Sequence, residues 1–195
     1  MSVAQRKVEE SATRRAILDA AEAILREEGH AALSSRRAAE RAGLKSQLVY
    51  YHFGTMDDLL LAVVRRLEER FFSDLAKAVS SRTPLRDLWD LALDGRSAEL
   101  EHEFLSMAIR RERIRAQIEE SCRRFRQLQV AVVTRVLKEL DGPQSAVPPA
   151  VFGFVLSSVA RAIVAEKRLG IDIDHAEVLA YVEARLDAME GPRRA

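Results

Sequence analysis

Residues 34–59, SSRRAAERAGLKSQLVYYHFGTMDDL, decide how this chain is read. Ser34 or Ser35 is suited to cap a short helix whose small residues Ala38, Ala39 and Ala42 permit close packing. Gly43 follows as a stop that tolerates positive φ. Leu44 and Val49 supply apolar anchors for a second short helix, and two such helices joined by a glycine turn form a helix-turn-helix. Lys45, Ser46, Gln47, Tyr50, Tyr51 and His52 crowd hydrogen-bonding groups onto this segment, where a recognition helix meets bases and phosphates.

Charge supports a local rather than a global affinity for nucleic acid. The 195-residue chain carries a formal net charge of only +1. Between Leu33 and Thr55, however, Arg36, Arg37, Arg41 and Lys45 face Glu40 as the single acid. A basic patch on an otherwise balanced chain suits a protein that reads DNA with one small surface. Cys122 is the one cysteine, which excludes an intrachain disulfide and a cysteine-based zinc cluster and fits a reducing cytoplasm. On an apolar stripe, it is expected to be a buried thiol. The N-terminal MSVAQRKVEESATRR lacks the apolar core of a signal peptide, and no apolar run is expected to approach the roughly 18 residues of a membrane span.

Working outward, residues 1 to about 11 show no apolar periodicity and are expected to be a frayed arm. Ile17, Ala21, Ile24 and Leu25 then recur at helical spacing up to Gly29, predicting a helix that braces the two short ones. Thr55 with Asp58 resembles a capping box that opens a long helix through Leu59, Leu60, Val63, Leu67, Phe71 and Leu75. Thr83 and Pro84 begin another with Leu85, Leu88 and Trp89. Helical spacing resumes through Leu100, Phe104 and Met107, and again from Ile114 to Leu140, with Gln129 the only polar member of that last stripe. Residues 141–149 form the clearest loop, followed by a helix to near Gly170 and, from Asp172 or Asp174, a final helix before a polar tail at 191–195. With no strand pattern, the fold class is all-α with about nine helices.

The chain resembles the tetracycline-repressor (TetR) family of transcriptional regulators. Ser35 to Leu44, then Val49-Tyr50-Tyr51-His52-Phe53 and Asp58-Leu59-Leu60, carry the resemblance, which is strongest over Ala16 to Leu60. It implies an N-terminal helix-turn-helix domain at 1–55 and a helical ligand-binding and dimerisation domain at 56–195. Carried over by position, Ser35 and Arg36 contact phosphate or a base edge, and Arg36 suits a guanine. Lys45, Ser46, Gln47 and Leu48 open the recognition helix, with Gln47 the next base reader. Tyr50, Tyr51 and His52 hold the phosphate backbone, and Phe53 locks the motif to its support. Three positions depart from the usual pattern. Met56 stands in place of a common lysine and removes a phosphate contact, Leu48 is suited to a thymine methyl, and Ala38 replaces a larger aliphatic residue and implies thinner packing.

Two further sets follow. Phe71, Phe72, Trp89, Phe104, Met107 and Phe125, with His102, Arg111 and Gln129 as polar handles, are candidates for a largely apolar effector pocket. Phe152, Val155, Leu156, Val159, Ile163, Val178, Leu179, Val182 and Leu186 lie on broad apolar faces near the C-terminus, and all but Leu179 are the candidate dimer seam. The expected protein is therefore a homodimeric, cytoplasmic regulator, most simply a repressor. It would leave a near-palindromic double-stranded DNA operator when a small molecule binds, with no cofactor or metal and no membrane partner. The alternative is a helical small-molecule-binding protein or enzyme with a vestigial helix-turn-helix. Against catalysis stand the wide separation of His30, His52, His102 and His175 and the lack of a nucleophile elbow or phosphate loop.

Overall fold

Glycine and proline set most of the helix ends. In the computed structural model, which describes residues 3–95, 101–139 and 147–193, there are nine α-helices, one 3₁₀ turn and no strand among the described residues. The helices are α1 (Val3–Glu28), α2 (Ser35–Arg41), α3 (Gln47–Phe53), α4 (Met56–Val79), α5 (Pro84–Leu93), α6 (Glu101–Arg110), α7 (Glu112–Glu139), α8 (Pro149–Arg168) and α9 (His175–Glu190), with the 3₁₀ turn at His30–Ala32. Leu100, Leu140 and most of the loop expected at 141–149 fall outside the described residues, although Pro149 opens α8 as anticipated.

The chain forms two compact units, Met1–Glu69 with Glu99–Glu119, and Arg70–Ala98 with Glu120–Ala195. The core of the first joins Ile17, Leu18, Ala21 and Leu25 of α1 to Ala38, Ala39, Val49 and Phe53 of α2 and α3. Leu59, Leu60, Val63 and Val64 of α4, Met107 and Ala108 of α6, and Ile114 of α7 complete it. In the second, Leu85, Leu88 and Trp89 of α5 pack with Leu75, Val132, Val133 and Val136 and with Leu156, Ala160, Ile163, Val182 and Leu186. These packing units are cut elsewhere than at the functional boundary expected at 55/56, because α4 begins at Met56 and its length as far as Glu69 belongs to the first unit.

Several expectations change. The N-terminal arm is helical from Val3, because Ala, Gln, Arg, Lys and Glu are good helix formers, whereas apolar periodicity reports burial and not helicity. Cys122 is exposed rather than buried: on α7 the inward face is carried by Gln129, Val132, Val133 and Val136 instead. α8 is long and apolar enough to cross a membrane by length and composition, with a mean hydropathy of 1.5, contrary to the expectation of no such run. Its inward face, Gly153, Leu156, Ser157, Ala160, Ile163 and Val164, is buried in the second unit, and the helix packs against α5.

The start of α5 also differs from its sequence reading. Thr83 makes no side-chain cap. The N–H groups of Leu85 and Arg86 instead donate to the two carboxylate oxygens of Glu190 on α9, at 2.8 and 3.0 Å. An anion at a helix N-terminus satisfies orphan donors and complements the helix dipole. Arg86, only 4% exposed, donates to Glu183, to Asp187 at 2.5 Å and to the Gly191 carbonyl at 3.1 Å. Arg193, in the expected polar tail, bridges Asp90 and Glu183 at 2.8 Å each.

Replacing Arg86 leaves these carboxylates facing one another. Arg86→Ala is expected to cost about 2–3 kcal/mol in a denaturant titration, less than for a fully buried pair because Glu183 and Asp187 keep partial solvation. Arg193 and, to a smaller degree, Arg86 hold the Glu183 carboxyl below its ordinary value of 4.5. A lowered folded-state pKa stabilises above the unfolded value and is lost as pH falls through the lowered one. Circular-dichroism melts should therefore hold steady above about pH 4.5 and fall on further acidification, and Glu183→Gln should flatten that acid limb.

Candidate nucleic-acid interface

The interface is assembled from two seven-residue helices too short to stand alone. Ser34 caps α2, its hydroxyl accepting the Arg37 N–H at 3.3 Å. At the other end Gly43, at φ 68°, lets the Leu44 N–H donate to the Ala39 carbonyl at 2.9 Å, the six-to-one bond of a Schellman turn. Leu44 then packs on the first core. Val49 and Phe53, 0% and 8% exposed, hold α3 down. Thr55 caps α4 by accepting the Asp58 N–H at 3.1 Å, and its hydroxyl donates to the Asp58 carboxylate at 2.6 Å.

This anchoring turns one face of α3 outward. Lys45, Ser46 and Gln47 are exposed, as are Tyr50 (51%) and Tyr51 (69%), while Leu48 and His52 are half-buried. Leu48 also packs against the first core, so its side chain is divided between packing and surface. Met56 does the same at the start of α4. The Ser35 hydroxyl donates to Tyr50 Oη at 3.2 Å, and the Tyr51 hydroxyl donates to Glu10 of α1 at 3.2 Å. Tyr51 and His52 meet edge to face at 5.0 Å.

The charge pattern departs from a simple count along the segment. One terminal nitrogen of Arg37 donates to both carboxylate oxygens of Glu28 at 2.6 and 2.7 Å, and Arg41 pairs with Glu27 at 2.5 Å. Both arginines therefore tie α2 to α1 and are not simply solvated. The Arg41 hydrogen bond also holds the Glu27 carboxyl below its ordinary range. Arg36 donates to Glu40 at 2.8 Å across one exposed helical turn, an arrangement of little energetic weight that a base edge can displace. Lys45 has no acidic partner among the described residues. Glu27 and Glu28 escape a count along the segment because they stand on the preceding helix, and Glu10 because it lies 41 residues from Tyr51. Another remote group is Glu103 of α6, which accepts the His30 N–H at 2.7 Å and lies 2.5 Å from His30 Nδ1, fixing the turn after α1.

The effector candidates are divided between the two cores. Phe104 and Met107 pack in the first, with Met107 1% exposed. Arg111 pairs with Asp57. The His102 side chain lies outside the described residues, although the residue belongs to α6. In the second unit Phe71 meets Phe72 at 5.5 Å and Phe125 at 5.7 Å. Trp89 is 1% exposed, and its indole N–H is buried without an acceptor. Gln129 is buried and already accepts from Arg126 at 2.8 Å, and it lies so close to Gly153 that an added Cβ would stand 2.8 Å away. Of the seam candidates, Leu156, Ile163, Val182 and Leu186 are buried in the chain's own core, Phe152, Val159 and Val178 are half-buried, and Val155 is 54% exposed. The exposed apolar side chains on these helices also include Val151, Phe154 and Tyr181, which the periodicity did not single out.

Residues 17–63 match the family model for bacterial regulatory proteins of the tetR family. No curated protein matches the chain. Among solved structures, a TetR transcription regulator from Haloarcula marismortui is 24% identical, with 92% of this chain and 98% of that one covered at a TM-score of 0.74. A putative TetR-family regulator from a Rhodococcus species is 16% identical, with coverages of 92% and 99% and a TM-score of 0.72. AibR, solved in complex with isovaleryl coenzyme A and operator DNA, is 17% identical, with coverages of 93% and 100% and a TM-score of 0.68.

The turn gives a direct test of how this surface is built. No atom lies within 4 Å of a Cβ placed on Gly43, so the cost of Gly43→Ala is conformational alone. It should lower stability by about 1–2 kcal/mol, read as a shift in the thermal midpoint.

Proposed function

We propose that this chain, whose residues 17–63 match the family model for bacterial regulatory proteins of the tetR family, is a dimeric, ligand-responsive repressor of transcription working in the cytoplasm. The observation that carries this reading is the outward face of α3, held on a capped, glycine-terminated α2 within the segment that matches the family. Arg36 and Gln47 read base edges in the major groove, where bidentate donors discriminate between bases. Ser35, Lys45, Ser46, Tyr50, Tyr51 and His52 hold phosphates and set register, and Leu48 makes an apolar contact with a base. Function divides at 55/56, with effector binding and dimerisation assigned to 56–195.

Two copies meet through α8 and α9. Val151, Phe154 and Val155 lie one helical turn apart on α8 and are each about half exposed, and Tyr181 on α9 is 63% exposed. Two-fold pairing of readers calls for an operator of inverted half-sites. AibR, which shares the fold, binds both operator DNA and isovaleryl coenzyme A, and this supports a small molecule as the signal here. The aromatic cluster of Phe71, Phe72 and Phe125, with the acceptor-free indole N–H of Trp89, supports an effector with an apolar body and a hydrogen-bond acceptor. Induction follows only if the effector binds the DNA-incompetent dimer more tightly than the competent one.

Selection from random DNA should enrich inverted repeats whose half-sites are centred about one helical turn apart, or a multiple of it. Enrichment of nothing, or of single half-sites, would refute the dimeric reader. Arg36→Ala should weaken the selected site by about 1–3 kcal/mol in a gel-shift titration while the dimer persists in sedimentation. Phe154→Glu should yield monomers and lose the operator without lowering the helical signal.

A further inference from the structure

The first unit contains a cleft of about 420 Å³, and of its lining residues only His52 and Phe53 have a role in the helix-turn-helix above. Its floor is apolar: Leu18, Phe53 and Leu61 are 5%, 8% and 4% exposed, and Ala62 lies beside them. Its walls carry four arginines, Arg14, Arg65, Arg66 and Arg113, against two acids, Asp58 and Glu69.

The arginines are not equally neutralised. Arg113 pairs with Asp58 at 2.7 Å, and Arg66 pairs with Asp19 at 2.6 Å and with Glu22. Arg14 meets no carboxylate among the described residues, and its guanidinium stands 4.8 Å over the Phe53 ring. Arg65 donates to the neutral Gln117 carbonyl at 3.0 Å. The Nε–H of Arg66 is buried without an acceptor. Two cations without acidic partners and one unsatisfied donor therefore surround an apolar floor. A neutral apolar ligand would leave those groups unanswered, and a bare inorganic anion would gain nothing from the floor. A molecule with a carboxylate at one end and a ring or short chain at the other answers both, since arginine binds carboxylate with two parallel hydrogen bonds.

We propose that this cleft is a second ligand site, in the DNA-reading unit itself, for a small aromatic or aliphatic carboxylate held by Arg14 and Arg65. The cleft is walled by α1, α4, Arg113 at the start of α7 and the last two residues of α3, His52 and Phe53. An anion there lowers the positive potential beside His52 and weakens the hold on DNA phosphate. Linkage makes the effect reciprocal, so DNA weakens the carboxylate equally. This consequence rests on the DNA-reading role proposed above, whereas the binding does not.

Benzoate is a suitable probe, with benzamide as its neutral counterpart. In ¹⁵N–¹H titrations of the full chain without DNA, benzoate should shift the amide signals of Arg14, Phe53, Leu61 and Ala62, and benzamide should bind at least about tenfold more weakly. Arg14→Gln with Arg65→Gln should weaken benzoate by about tenfold or more with an unchanged thermal midpoint, and each single substitution should show a smaller loss. Silence at these amides, equal binding of benzamide, or shifts confined to Trp89 and its neighbours would each overturn the proposal. So would a double variant that loses DNA but keeps benzoate affinity, because the arginines would then be DNA-phosphate contacts. If DNA selection fails while benzoate still binds, the site stands and the regulatory reading falls.

Discussion

The close approach of α2 and α3 to α1 is the constraint on which the reading surface depends. Ala38 and Ala39 are 0% and 1% exposed, and Val49, Ile17 and Ala21 are all fully closed to solvent. Short helices gain almost nothing from their own hydrogen bonds, so this contact supplies the stability that orients Tyr50, Tyr51 and Gln47 outward. The small side chain of Ala38 suggested thin packing beneath the motif. Instead, neighbouring residues close over Ala38 completely.

Electrostatics reinforce the same arrangement and temper it. Arg37 and Arg41 give α2 its basic character along the chain, yet both are occupied by Glu28 and Glu27 of α1. Lys45 and Arg36 are then the cations most readily offered to a polyanion, and Arg36 must first leave Glu40. Such exchange is inexpensive at an exposed site, where a single ion pair contributes about 0–1 kcal/mol. The surface therefore favours an ordered set of contacts over general attraction to nucleic acid, which agrees with a net charge of only +1.

The second unit uses charge differently. Glu190 caps α5 and Arg86 gathers Glu183, Asp187 and the Gly191 carbonyl, so the end of the chain is fastened to α5 by polar groups within a mainly apolar core. This leaves the outer side of α8 with Val151, Phe154 and Val155 about half exposed, the Arg126 guanidinium standing 4.4 Å from the centre of the Phe154 ring. A patch of that kind marks a contact site more often than an accident of packing.

Helix number, the glycine-terminated turn, the donor-rich face of α3 and the Thr55 cap were all legible in residues close together along the chain, because capping, positive φ and 3.6-residue periodicity are local physics. The tertiary structure alone decided what depends on distant partners. Glu190 replaces Thr83 as the cap of α5, Glu10 reaches Tyr51, Arg14 covers Phe53, and α8 turns Leu156 and Ile163 inward while Phe154 and Val155 stay out. Periodicity marks an apolar face but cannot say which of two such faces its own core will take, and a local charge count cannot see the acids that another helix brings.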